Sequence, residues 1–199
     1  MDPTIRLADP GADAGAIADI YAPYCGQSPI SFEIQPPGAE FIYKRIAHGH
    51  ERYPWLVCVS GEQILGYAYA AQHHAREAYC WSVTTSVYVH IAFHRRGVGR
   101  GLYRSLLEIL RLQGFCNAVA LISVPHPAST GLHDSMGFWR AGLLANIGYK
   151  AGAWRDVELW QKQLALLPEE PAPPLWVAAA QELAAWPNAI LAGARDFKK

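Results

Sequence analysis

W-S-V-T-T-S-V-Y-V at Trp81–Val89, then H-R-R-G-V-G-R-G at His94–Gly101, then L-Y-R-S-L-L-E-I-L-R-L-Q-G at Leu102–Gly114 form the stretch that decides the fold. The first segment alternates. Trp81, Val83, Thr85, Val87 and Val89 face one way and Ser82, Thr84, Ser86 and Tyr88 the other, so it reads as a strand with one apolar and one hydroxyl-rich face. In the last segment Leu102, Leu106 and Leu110 share a helical stripe with Tyr103 and Leu107, and Gly114 stands where a helix C-cap belongs. Between them, Gly97, Gly99 and Gly101 occupy alternate positions, where the absent side chains let the backbone come close to a ligand. The following helix turns its unpaired N–H groups and positive dipole end into this loop, and Arg95, Arg96 and Arg100 surround it with cationic charge. By physical logic this is a phosphate or pyrophosphate cradle. It is not a P-loop, because Leu102 follows Gly101. Its G-x-G-x-G spacing is not the dinucleotide fingerprint either, and Asn117, Ala118 and Val119 stand where that motif's acid would be.

Working outward, Thr4 to Ala8 reads as an opening strand, and Ala16, Ile17, Ile20, Tyr21 and Tyr24 mark a helix stripe. Pro36-Pro37 opens a second helix with Phe41, Ile42 and Ile46 on one side and Arg45 opposite. Trp55–Val59 and Ile64–Ala71, joined by the turn Ser60-Gly61-Glu62, read as a hairpin. Downstream, Cys116 to Val124 is nearly all apolar, which predicts a strand buried on both faces. A short helix over Thr130–Met136 and two closing strands, Phe138–Ile147 and Trp154–Gln163, complete the pattern, with Trp81, Trp154 and Trp160 as core and wall residues. Pro168, Pro171, Pro173 and Pro174 then form an extended link, and Leu175, Ala179, Leu183 and Trp186 mark one more helix, stopped by Pro187. The expected division is a domain over residues 4–166, followed by a Pro-rich link and C-terminal helix over 167–199.

The 199 residues are 51% hydrophobic and only 17% charged, against a usual charged share of about 25%, so the chain can build a real core. Lys plus Arg equals Asp plus Glu at 17 each. The zero formal charge lacks the electrostatic footprint of a nucleic-acid binder. Cys25, Cys58, Cys80 and Cys116 form no C-x-x-C pair and read as thiols of a reducing compartment. With no signal peptide and no apolar run near the roughly 18 residues of a membrane span, the expectation is a soluble cytoplasmic protein with no membrane partner and no metal.

The flanking segments carry a resemblance. They are E-R-Y-P-W-L-V at Glu51–Val57, G-Y-A-Y-A at Gly66–Ala70, R-E-A-Y-C-W-S-V at Arg76–Val83 and S-V-Y-V at Ser86–Val89. L-H-D-S-M-G-F at Leu132–Phe138 and G-Y-K-A-G-A-W-R-D-V at Gly148–Val157 complete the set. Together with the loop, whose family pattern is [QR]-x-x-G-x-[GA], they resemble the GNAT superfamily of acyl-CoA-dependent N-acetyltransferases, and within it the phosphinothricin acetyltransferase family. The resemblance spans about residues 4–164. It implies an α/β GNAT fold, a mixed and mostly antiparallel central sheet flanked by helices with a C-terminal helical extension here. It also implies acetyl-CoA as co-substrate, direct transfer to a small amine without a covalent enzyme intermediate, and a homodimer.

Carried over residue by residue, the resemblance implies a cofactor site of Val87, Tyr88, Val89, Arg95, Arg96, Gly97, Val98, Gly99, Arg100 and His126. Backbone N–H groups of Val87 to Val89 would meet the thioester carbonyl where the strand splays. His133 matches the family's His and would protonate the thiolate or form a wall, and Tyr88 shares the strand face of Thr84. Arg76 would meet an anionic substrate group, and Glu33 lies in the substrate-side segment Ser31-Phe32-Glu33.

The departures concentrate on the substrate side. Thr84 stands where the family has its expected general base, a Glu, and a hydroxyl cannot take a proton at neutral pH. His94 replaces the loop's first Gln or Arg, His126 an Asn, and Ala145, Ala151 and Arg155 stand at positions expected to be basic or His. Glu33, His73, His74, Glu77, a water chain or an amine of lowered pKa are the substitutes for the base. The alternative reading is a non-catalytic or altered-specificity acyl-CoA-binding relative. Acetylation of a protein terminus is a third, disfavoured by the family's closed pocket.

Overall fold

A seven-stranded sheet in the order β1-β2-β3-β4-β5-β7-β6 organises the chain in the computed structural model, which describes residues 2–26 and 28–197. The strands are β1 (Thr4–Leu7), β2 (Trp55–Ser60), β3 (Gln63–Gln72), β4 (Ser82–Val89), β5 (Asn117–Val124), β6 (Trp139–Lys150) and β7 (Ala153–Gln163). Every neighbouring pair is antiparallel except β4 and β5. Helices α1 (Pro10–Tyr21) and α2 (Ala39–Gly49) build a core on one face with Trp55, Val57 and Tyr67. Helix α3 (Val98–Gln113) fills the other with Leu102, Tyr103, Leu106 and Leu110, all fully buried. A short α4 (Pro127–Ser135) follows β5.

Local chemistry explains the ends of these helices. Asp9 caps α1 by accepting from the Ala12 N–H at 2.8 Å, and buried Asp13 takes both guanidinium nitrogens of Arg6 at 2.6 and 2.8 Å. Helix α3 starts at Gly97 (φ 83°) and ends at Gly114 (φ 94°), both left-handed positions that glycine adopts without a Cβ penalty.

Four expectations change. Strand β5 is not buried on both faces, because Leu121 is 53% exposed where the strand parts from β4. Phe41 lies outside the α2 core stripe, with the Arg45 guanidinium 4.6 Å above its ring, while Ile42 and Ile46 are buried. Trp154 is exposed on the β6–β7 hairpin, whereas Trp160 is core. The single C-terminal helix is two: α5 (Val177–Gln181) and α6 (Trp186–Leu191). Pro187 sits in the first turn of α6 and opens it, since the missing N–H costs nothing there.

Residues 172–197 pack onto the body. The Trp81 indole donates to Ala172 O at 2.8 Å, and Gln113 donates its side-chain amide to Arg52 O and Leu175 O. Trp186 and Ala189 join the α3 core, and Ser105 Oγ donates to Ile190 O while accepting from the Gly193 N–H. Cys25, Cys58 and Cys116 are buried free thiols, and Cys80 is partly exposed. No helix among the described residues is long and apolar enough to cross a membrane.

Candidate active site

Strands β4 and β5 pair only from Ser82↔Asn117 to Thr84↔Val119, although β4 continues to Val89 and β5 to Val124. Beyond that rung the strands diverge. Tyr88 and Tyr67 are cross-strand partners and the His90 N–H donates to Leu65 O, so alternation turns the N–H groups of Val87 and Val89 away from β3, toward the gap. The gap is the floor of a cavity of about 770 Å³ bounded by Thr85–Val89, Ala120–Ser123, the loop before α3, and α4.

At the mouth, helix α3 begins with no side-chain cap, leaving the N–H groups of its first turn available to an anion. Arg95 (φ 61°) and Arg100 line the cavity, whereas Arg96 stacks over Phe93 at 5.6 Å and does not. Two of the three loop glycines serve the chain itself. A Cβ at Gly97 would run into the Asp196 carbonyl oxygen, and one at Gly101 would fall 2.8 Å from Gly193 O and from the Phe197 ring. The C-terminal strap 193–197 therefore lies across the start of α3. Asp196 lines the cavity, accepts from Arg104 Nε at 2.5 Å and stands 3.5 Å from Arg100. Only Gly99 is spared for the cavity, where a Cβ would meet Val89 at 3.3 Å and Leu132 at 3.8 Å.

A second cavity, of about 580 Å³, lies on the α1 side. Its lining includes Phe32, Leu144, Ile147 and Val157, with Glu33 as the one charged residue among the described residues, and it shares Ile30, Tyr88, Leu121 and Ser123 with the first. Long-range ties hold it. Buried Lys150 donates to Ser31 O and Glu33 O, the Tyr21 and Ser31 hydroxyls meet at 2.6 Å, and Arg45 forms an ion pair with Glu33.

Residues 5–160 match the family described as Acetyltransferase (GNAT) domain. The chain belongs to the GNAT acetyltransferase family. It is 38% identical over 163 residues to a phosphinothricin N-acetyltransferase of Streptomyces viridochromogenes, covering 82% of this chain and 87% of that protein. An L-methionine sulfoximine/L-methionine sulfone acetyltransferase of Salmonella typhimurium is 32% identical, with 81% and 94% covered. Among solved structures, yncA from Salmonella typhimurium with its cofactor acetyl-CoA superposes with a TM-score of 0.79 at 30% identity, covering 87% of this chain and 98% of that one. A phosphinothricin acetyltransferase from Sinorhizobium meliloti in complex with acetyl-CoA gives 0.78 at 28%, with 89% and 99% covered.

On this GNAT frame most of the residues singled out from sequence converge on the first cavity. Val87, Tyr88, Val89, Arg95, Gly97, Val98, Gly99, Arg100, His126 and His133 line it, and Glu33 lines the second with Tyr88. Arg96, Thr84 and Arg76 line neither. Arg76 is exposed on the β3–β4 connection, and Thr84 Oγ1 lies 3.2 Å from His73 Nδ1. The Tyr88 backbone N–H faces β3, so the two groups turned into the gap are those of Val87 and Val89.

His133 is buried on α4. Its Nδ1 lies 2.8 Å from Ser129 O and its Nε2 3.0 Å from the Tyr103 hydroxyl. Burial lowers its pKa, so the ring is neutral and donates from Nδ1 to Ser129 O, while the Tyr103 hydroxyl beside Nε2 also reaches Thr85 Oγ1 at 3.0 Å. Burial pushes the Tyr88 phenol well above its ordinary value. Sequence reasoning missed Tyr24, whose hydroxyl donates to Val89 O; Lys150; Ser123; and Asp196, whose tail position carried no motif.

Proposed function

We propose that the protein transfers the acetyl group of acetyl-CoA directly to the primary amine of a small amino acid-like molecule, both substrates bound at once. The observation that carries this reading is the pair of cavities meeting where β4 and β5 part, one headed by a cationic loop and an uncapped helix, the other smaller and largely apolar. The loop suits the pyrophosphate of acetyl-CoA: α3 N–H groups with Arg95 and Arg100 supply the donors, and His126 and Leu132 wall the arm behind. Acetyl-CoA brings an activated thioester carbonyl. The N–H groups of Val87 and Val89 donate to its oxygen as charge develops. Tyr88 lines both cavities, and its protonated hydroxyl at their junction is the donor we assign to the departing thiolate. His133, engaged at both nitrogens, forms the wall with Tyr103.

Thr84 takes no proton at neutral pH, so the free-base fraction of the amine is the reactive species, and turnover climbs with pH toward the amine's own pKa. Glu33 attracts the amine end of the substrate into the second cavity. The exposed row Leu143, Leu144, Ile147 and Tyr149 on edge strand β6 is where we place the partner of a homodimer, in the cytoplasm.

One observation favours altered specificity as the second reading. Among the described residues, the lining of the second cavity includes no cation to hold a carboxylate or phosphinate, since Arg76 lies outside it. The test is thiol release from acetyl-CoA with phosphinothricin, methionine sulfoximine, common amino acids and apolar primary amines, for wild type and Thr84→Glu. Release with any of them supports acetyl transfer. Preference for apolar amines selects the second reading, and phosphinothricin turnover only in Thr84→Glu excludes that substrate natively. Silence in both proteins with acetyl-CoA bound would leave the non-catalytic relative.

A further inference from the structure

Ser123 lies in β5 opposite Val157 of β7, 8% exposed, and its Oγ has no hydrogen-bond partner among the described residues. Buried hydroxyls are almost always paired, because an unmade bond forfeits the group's hydration without replacement. An orphan at this place needs a partner that arrives from outside. Ser123 is one of four residues that line both cavities, with Ile30, Tyr88 and Leu121, and only Ser123 and Tyr88 among these bring a polar side-chain atom.

Strand alternation puts Ser123 on the same face as Leu121, the face turned to the α1-side cavity, while Ala120 and Ile122 point to the α3 side and line only the first.

We propose that Ser123 is a further catalytic residue, its Oγ accepting an N–H of the attacking amine. The inference rests on the acetyl-transfer reading above. A neutral primary amine has two N–H groups and one lone pair. Holding one N–H at the junction leaves the lone pair directed at the thioester carbon. In the step, the C–N bond forms, the C–S bond breaks, the amine proton leaves to water, the thiolate takes a proton from Tyr88, and the same water returns its proton to Tyr88. Ser123 itself neither gains nor loses one.

The experiment compares wild type, Ser123→Ala and Ser123→Cys by steady-state thiol release, with melting and calorimetric titration of acetyl-CoA. Ser123→Ala removes an unpaired buried polar atom, so its melting temperature holds or rises. Its kcat/KM for the amine falls about ten- to a hundred-fold, with acetyl-CoA affinity unchanged and Ser123→Cys in between. Unchanged kcat/KM in Ser123→Ala, or a loss confined to acetyl-CoA binding, overturns the assignment while leaving acetyl transfer intact. If wild type releases no thiol with any amine, the functional reading itself fails and this assignment falls with it.

Discussion

The two cavities that meet at Tyr88 and Ser123 are built in opposite ways. The larger one is assembled from consecutive elements, β4, the glycine loop and α3, with β5 and α4 closing it. The smaller one draws on the segment after α1, β5, and the β6–β7 hairpin, and it is held together by bonds such as Lys150 to Ser31, 119 residues apart. A binding surface made of one continuous stretch inherits its geometry from strand and helix periodicity. One made of distant segments depends on a few polar ties, and is correspondingly easier to alter without disturbing the fold.

The comparison breaks most visibly at Gly99. A Glu there would crowd Val89 and Leu132 and bring a carboxylate into the cavity proposed for the pyrophosphate of acetyl-CoA. Gly99→Glu is expected to lose more than about a hundred-fold in acetyl-CoA affinity by calorimetric titration, an effect of about 3 kcal/mol. Retained affinity would remove the anion from this loop.

Lys150→Met addresses the other cavity. It leaves two carbonyls of the substrate-side segment without their donor, at a cost of about 2 kcal/mol in stability. The amine KM rises about ten-fold while acetyl-CoA affinity stays within two-fold; equal losses for both substrates would erase the distinction between the halves.

Asp196→Asn sharpens the description of the strap. It relieves Arg100 of a neighbouring carboxylate, so acetyl-CoA binds a few-fold more tightly at low salt, and the gain fades as ionic strength rises. Weaker binding in the variant at every salt concentration would instead make the strap a positive part of the site.

The smallest effect belongs to His133. Burial lowers its folded pKa below the ordinary 6.5, so the unfolded chain binds the proton more readily. Its contribution is present above pH 6.5 and is lost as pH falls through the depressed folded value. The melting temperature of wild type should drop more steeply with acidification below pH 6.5 than that of His133→Gln. Parallel profiles would show that this ring does not titrate on unfolding.

Much of the fold was legible because it rests on short-range rules. The alternation of Trp81–Val89, the leucine stripe after Gly101 and the Gly114 stop each predict their element within a few residues of sequence. The cofactor-side candidates converged for the same reason, since a strand, loop and helix in succession leave little freedom. The glycine argument reached a loop that lines the first cavity but only part of the cause of its glycines: Gly97 and Gly101 make room for residues 193–197 of the same chain. Arg76 matched a motif, yet its connection carries it onto the exposed surface.

The sequence by itself determined the order and type of the elements up to β7, the helix stop at Gly114, the cationic character of the loop and the family resemblance, because each depends on residues close together along the chain. Only the tertiary structure decided that β4 and β5 part after Thr84 and Val119, that Leu121 opens onto a cavity, that Pro187 starts a helix and that Asp196 reaches the loop. It also left Ser123 without a partner. These outcomes come from packing between segments far apart in sequence, where burial and hydrogen-bond satisfaction are settled over the whole molecule.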